Sequence, residues 1–263
     1  MSTPAPVPRR ISSRDNPRFK ALRQLASDNT AYRRLGQVWL EGEHLCTAAL
    51  DRGVSLQSWV MSETGWTSRT GRLALLDGEV LVLPDALFAS LSDLPSPGGV
   101  AAVMAVPASS TLSPQAHTLV LDRVQDAGNV GSMLRSAAAM GVTQVLALKG
   151  TAALWSPKVV RSGMGAHFAL RLIEGLDAVD LAGLQAPLVV TLPHQGPWLH
   201  ELVSAKTLPH PCAWVLGHEG QGVQPDLIER AALSVRIAQP GGEESLNVAA
   251  AAAICLYASA TSH

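Results

Sequence analysis

Ile237-Ala-Gln-Pro-Gly-Gly-Glu-Glu-Ser-Leu-Asn-Val-Ala-Ala250 carries a glycine-bent acidic loop straight into a long Ala-rich segment. Seven residues, from Gly241 to Asn247, bring two glycines, two carboxylates, a hydroxyl and an amide to one place. A helix needs one polar cap at its start. Crowding beyond that costs foldability unless something binds there. Asn129–Arg135 and Gly217–Gly222 repeat the design: an apolar run, a short polar loop, then a helical pattern.

Working outward, the later part of the chain alternates apolar runs with helical periods. Strands are expected at Thr118–Leu121, Gln144–Leu148, His167–Leu172, Leu188–Leu192, Ala213–Leu216 and Val235–Ile237. Helices are expected at Val130–Met140, Pro157–Gly163, Pro225–Ala232 and Leu246–Ala260. Such alternation means a parallel sheet covered on both faces, with ligands at the carboxyl ends of its strands. All three loops fall on that edge. Ahead of them, residues 108–117 read as a linker, rich in Ser, Pro and Ala. Residues 1–107 form a first α/β domain, with strands at Val38–Leu40, Leu56–Met61, Val80–Leu83 and Val100–Val106. Residues 118–263 form the second.

The 263 residues suffice for two cores. An apolar fraction of 47% with 16% charged residues reads as globular. The net charge of -1 argues against whole-protein attraction to nucleic acid, but charge is unevenly placed. Residues 1–34 hold eight Lys/Arg against two Asp. Arg14, Lys20 and Arg23 lie in this stretch, where a helix from Asn16 has one apolar and one basic side. Three separated cysteines, Cys46, Cys212 and Cys255, make neither a disulfide framework nor a zinc site. The opening residues lack a signal-peptide core, and Val248–Tyr257 is too short to span a bilayer. Cytoplasmic location, with no metal and no membrane partner, is the expectation.

Each loop alone has an ordinary reading. Asn129 is a natural helix cap, and Arg135 a cation either solvated or aimed at a phosphate. Gly217–Gly222 permits close approach of a ligand to the backbone and holds Glu219. It is neither a P-loop nor a dinucleotide fingerprint. Ser245 could cap the last helix. Asn247 would then fall inside it, where Asn is unfavourable, so its amide reads as aimed at a substrate hydroxyl. Lys158 and Arg161, with Ser162, suit a nucleic-acid backbone or a solvated helix face equally.

Together and in this order the loops are more specific. Asn129…Gly131…Arg135, then Leu216-Gly-His-Glu-Gly-Gln-Gly222, then Ile237…Gln239…Gly241…Ser245-Leu-Asn-Val-Ala249 resemble the three signature motifs of the SpoU (TrmH) family. That family comprises RNA ribose 2′-O-methyltransferases of the SPOUT superfamily. The likeness covers about residues 118–260. Ser13-Arg-Asp-Asn-Pro-Arg-Phe-Lys20 and Leu40-Glu-Gly-Glu-His-Leu45 are similar to the family's small L30e-like RNA-binding domain.

The resemblance implies a parallel sheet with a deep trefoil knot built from the second and third motifs, S-adenosylmethionine bound in it, and a homodimer with shared pockets. It implies catalytic roles for Asn129, Arg135, Glu219, Ser245 and Asn247. Arg135 would contact the ribose or its phosphate, Asn129 would brace the loop, Glu219 would order the loops by bonding Asn129 or Arg135, and Ser245 and Asn247 would hold the 2′-oxygen. Cofactor contacts would come from Thr191, Leu192, Leu216, Gly217, Gly222, Ile237, Gln239, Ser245 and Leu246. RNA contacts would come from Arg14, Lys20, Arg23, Lys158 and Arg161. The implied reaction is methyl transfer from S-adenosylmethionine to RNA, with ribosomal RNA ahead of transfer RNA as substrate. A non-catalytic RNA binder with the same fold is the alternative, and it has no need of all five catalytic residues.

Overall fold

The computed structural model describes residues 7–68, 78–108, 110–241 and 245–262. Gly242, Glu243 and Glu244 of the opening loop lie outside them. The chain forms two compact units: Met1–Ala108 with Trp155–Phe168, and Ser109–Leu154 with Ala169–His263.

The second unit is built on a six-stranded sheet of β6 (Thr118–Leu121), β7 (Gln144–Leu148), β8 (Arg171–Leu176), β9 (Leu188–Thr191), β10 (Ala213–Leu216) and β11 (Leu233–Val235). Their order is β11-β9-β10-β6-β7-β8, and every pairing is parallel. β6, β7 and β10 are buried along their whole length, which is why they read as apolar runs, broken only by Thr118 and Gln144 at their starts. The order reverses between β6 and β10, so the loops leaving these neighbours open a crevice at one sheet edge. Helix α6 (Ala127–Ala139) buries Val130, Met133, Leu134 and Ala137, a 3.6-residue stripe. It packs on α10 (Val248–Thr261), which buries Ala252, Cys255 and Leu256. Each large apolar side chain so buried contributes roughly 1.5–3 kcal/mol. Ser259 of α10 accepts a 2.8 Å bond from the indole of the fully buried Trp214.

The first unit has a five-stranded sheet: β1 (Arg9–Arg10), β2 (Gln37–Glu41), β3 (Leu56–Ser62), β4 (Glu79–Leu83) and β5 (Val100–Ala105), in the order β1-β4-β3-β5-β2. β5 runs antiparallel to both its neighbours. Helix α1 (Pro17–Ser27) starts at Asn16, whose side chain accepts from the Arg18 N–H, with Pro17 at the first position. Phe19, Leu22, Leu25 and Ala26 form its buried side.

Three expectations are corrected. Helix α7 (Pro157–Gly163) was assigned to the second domain, but it packs on β2 and α1 and belongs to the first unit. The strand expected at His167–Leu172 starts only at Arg171. Gly165, at φ +90, turns the chain into a short 3-10 turn at Ala166–Ala169, with His167 buried against the Trp155 ring. The back half of the supposed linker is built into the second unit. Ser113 exchanges two bonds with the Gln144 side chain, and the Pro114 carbonyl accepts from the Gln185 and Ala186 amides.

Candidate active site

Three loops meet at the carboxyl edge of the parallel sheet, and Glu219 sits at their junction. Its Oε1 accepts from the Asp126 N–H and from Asn129 Nδ2, both at 3.1 Å. Its Oε2 accepts from the Gln125 N–H at 3.1 Å. Asn129 Oδ1 in turn accepts from Asn247 Nδ2 at 3.0 Å. The Gly-rich loop, the start of α6 and the start of α10 are thereby fastened side chain to side chain. Partial burial raises the Glu219 pKa. The bonds from Asn129 and from the N–H groups of Glu219 itself, Gln125 and Asp126 outweigh it and hold the carboxyl at about 2. Glu219 is therefore ionised at neutral pH, as an acceptor of three donors must be.

The two caps differ from the sequence reading. Asp126, not Asn129, caps α6: its Oδ1 accepts from the Asn129 N–H at 2.8 Å. Asn129 is left free to use its amide across the loops. Asn247 is itself the cap of α10, accepting from the Ala249 and Ala250 N–H groups at 2.9 and 3.2 Å. It is not a helix-interior residue. With its oxygen committed and one amide hydrogen on Asn129, a single hydrogen remains for a substrate.

Between the Gly-rich loop and the entry to α10 lies a cleft of about 500 Å³. Thr191, Leu192, Gly222, Ile237, Gln239, Ser245 and Leu246 line it. A contiguous recess of about 280 Å³ adds Leu216, Gly217, Asn247 and Val248. All nine residues named as cofactor contacts thus line one depression, as do Glu219, Ser245 and Asn247. The volume suits a nucleoside-sized ligand.

Two details fit such a ligand. At Gly217 a Cβ would lie 2.2 Å from the Gly222 carbonyl carbon, so the loop closes on itself only through glycine. His218 and Gly222 exchange backbone bonds across this closure, and His218 Nδ1 accepts from the Gly220 and Gln221 N–H groups. Gln239 Oε1 is buried on the cleft wall with no partner among the described residues. A buried acceptor left unbonded is costly and matches a donor on a bound ligand.

Arg135 stands apart. It is exposed on α6, lines neither recess, and no hydrogen bond or ion pair holds it among the described residues. The cations expected to meet RNA all lie in the first unit. Arg14 and Arg23 are exposed, as is Lys158. Lys20 pairs with Asp15 at the surface at 3.2 Å. Arg161 turns inward to Glu41 at 3.7 Å, a carboxylate 7% exposed, so it braces the first unit and is no open phosphate contact. Burial pushes the Cys46 and Cys212 thiols up to about 12 and Cys255 higher, which removes them as nucleophiles.

The sequence reading passed over Asp122 and Arg123. The Asp122 carboxylate is fully buried, and Arg123 binds it and the Gly-rich loop together. An acid-base pair directly after an apolar strand was the available signal.

Residues 116–257 match the family model described as SpoU rRNA Methylase family, and residues 16–102 match the MRM3-like substrate binding domain. The chain is 33% identical to an uncharacterized tRNA/rRNA methyltransferase of Synechocystis sp., over 94% of this chain and 92% of that one. It is 31% identical to the 23S rRNA guanosine 2′-O-methyltransferase RlmP of Bacillus subtilis, over 83% and 86%. An S-adenosylmethionine-bound rRNA methyltransferase structure from Sinorhizobium meliloti superposes with a TM-score of 0.80 at 25% identity, covering 95% of this chain and 97% of that one. The family model spans more than half of the chain, across the strands and loops that wall the cleft, and the protein belongs to the SpoU rRNA methylase family.

Proposed function

We infer that the protein transfers a methyl group from S-adenosylmethionine to a ribose 2′-hydroxyl of RNA, with ribosomal RNA as the target. The observation that carries this reading is the Glu219–Asn129–Asn247 chain of bonds beside a nucleoside-sized cleft. A bare RNA binder has no use for a cleft braced from three loops. S-adenosylmethionine supplies an electrophilic methyl group on a sulfonium centre. The protein's own work is to hold that ligand and the ribose in line and to exclude motion between them. Leu216, Gly217 and Gly222 offer backbone at close range, and Gln239 offers its vacant acceptor. Ser245 stands at the mouth with a hydroxyl available to the sugar, beside the remaining amide hydrogen of Asn247.

Arg135 serves as a charge clamp on ribose or phosphate. A guanidinium stays protonated at neutral pH, so it stabilises charge and does not take the proton. Water or a substrate phosphate accepts it. Because Arg135 is exposed and absent from its own cleft wall, the reading includes a homodimer in which it serves the other subunit. The apolar sequence of α10 supports this: Ile254 and Tyr257 are 41% and 59% exposed on a helix otherwise fit for burial. We also take the close backbone passages as segments of a trefoil knot. A Cβ at Gly196 would lie 2.0 Å from the Ser234 oxygen, a second such approach beside that at Gly217. The first unit carries Arg14, Lys20, Arg23 and Lys158 toward the RNA. The reduced thiols accord with a cytoplasmic setting.

The test is mapping of 2′-O-methyl groups in ribosomal RNA from cells with and without the protein, beside calorimetric titration with S-adenosylmethionine. A site lost with the protein, and cofactor uptake, are expected. No uptake at millimolar cofactor returns the non-catalytic binder. For the shared pocket, mixing Arg135→Ala with Asn129→Ala subunits restores activity that neither homodimer has. No restoration overturns the shared arrangement.

A further inference from the structure

Arg123 stands two residues beyond β6 with φ +60, in the left-handed region. A residue with a Cβ is disfavoured there and stays only where its surroundings over-determine it. The guanidinium supplies that determination. Nε and Nη2 fork onto Asp122 Oδ1 and Oδ2 at 2.8 and 3.2 Å. Nη1 donates to Gln221 Oε1 at 2.9 Å, and Nη2 also donates to the Gly222 carbonyl at 3.3 Å. Asp122, fully buried, takes the Gln224 N–H on Oδ2 at 2.7 Å. Gly150 leaves room for the Arg123 stem, since a Cβ there would come 3.2 Å from Arg123 Cγ.

The Gly-rich loop is therefore gripped at both ends by the loop after β6. Glu219 fastens its near half, and the Asp122–Arg123 pair fastens Gln221, Gly222 and Gln224. Gly222, at φ +68, faces the cleft while its carbonyl is held from behind. A loop with three glycines otherwise samples a wide range of backbone shapes, and that freedom must be lost whenever ligand binds.

We propose that Arg123 is a positioning residue that locks the Gly-rich loop in its cofactor-accepting shape, so that cofactor affinity, and not turnover at saturating cofactor, depends on its guanidinium. The inference rests on the S-adenosylmethionine reading of the cleft. Loss of Arg123 alone would strand the Asp122 charge in the interior. Two variants avoid this. Arg123→Lys keeps a cation for Asp122 but cannot span Gln221 and Gly222. Asp122→Asn with Arg123→Gly removes the charge and accepts φ +60 without strain.

In both, the dissociation constant and KM for S-adenosylmethionine rise about tenfold or more while kcat at saturating cofactor stays within about twofold. Amide exchange in the cofactor-free protein quickens at residues 220–224 and not in β6, β7 or β10. Affinity within about twofold of the unmodified protein, with unchanged exchange in the loop, overturns the proposal. Exchange that quickens evenly across the sheet also overturns it, because Arg123 would then be a general stabiliser. Failure of the unmodified protein to take up S-adenosylmethionine strikes the cofactor reading instead, and exchange, measured without cofactor, still decides whether Arg123 is a latch.

Discussion

Asn247 Nδ2 donates to Asn129 Oδ1 at 3.0 Å, a bond between residues 118 positions apart. Each amide has its orientation fixed from its far side. Asn247 turns its oxygen to the α10 backbone, and Asn129 turns its nitrogen to Glu219. Flipping either amide would set donor against donor or acceptor against acceptor. One side chain therefore starts a helix and registers two loops.

Asn247→Asp separates these roles. Aspartate caps as well as asparagine, so thermal stability should change by less than about 1 kcal/mol. It has no hydrogen for Asn129 Oδ1, so the loops lose register and kcat/KM falls about tenfold or more. Melting curves beside initial rates check this, and equal activity would refute it.

Glu219 ties stability to acid. Its folded pKa of about 2 lies below the ordinary 4.5, so its contribution is complete above about 4.5 and fades as pH falls toward 2. The melting temperatures of the protein and of Glu219→Gln should differ at pH 7 and converge between pH 4.5 and 2. Solvent at this exposed carboxylate keeps the difference small. A gap that persists unchanged at pH 2 would contradict the assignment.

Gly217→Ala places a Cβ 2.2 Å from the Gly222 backbone, whereas at Gly220 the nearest contact is the His218 ring at 3.8 Å. The first change should cost about 1–3 kcal/mol or more and abolish cofactor uptake. Gly220→Ala should be tolerated in both respects. Denaturant melts and calorimetry on the pair test this.

Salt dependence sorts the cations. Glutamate in place of Lys20 and Arg23, or of Lys158, should flatten the slope of log affinity against log salt by about 0.7 per lost phosphate contact. Arg161→Ala should leave the slope unchanged, because that side chain is engaged with Glu41. Filter binding of ribosomal RNA fragments across a salt series measures each.

The sheet was legible because its central strands are short, apolar beyond the first residue and bounded by turn residues. Thr118–Leu121, Gln144–Leu148 and Ala213–Leu216 were read at their observed ends. The short helices Ala31–Leu35 and Leu199–Ser204 escaped because so few residues show no period, whereas the equally short Pro225–Arg230 was marked by its opening proline. Clustering of Asn129, Glu219 and Asn247 was legible through the resemblance, as was a Glu219 bond to Asn129 or Arg135, of which the structure has the first; the Asn247–Asn129 bond was not. Cap position between Ser245 and Asn247, two residues apart, cannot be told from composition. Arg123 escaped for another reason: the adjacent charges of Asp122 and Arg123 signal a pair, but nothing in a sequence marks an arginine that will take a positive φ.

The excursion of Trp155–Phe168 into the first unit has a modular consequence. A fragment ended at residue 107 would lack one of its own helices, leaving β2 without α7 and Glu41 without Arg161. The front piece is thus no cassette that can be cut out and exchanged at one joint. Exchanging it between chains would require moving two stretches of gene together.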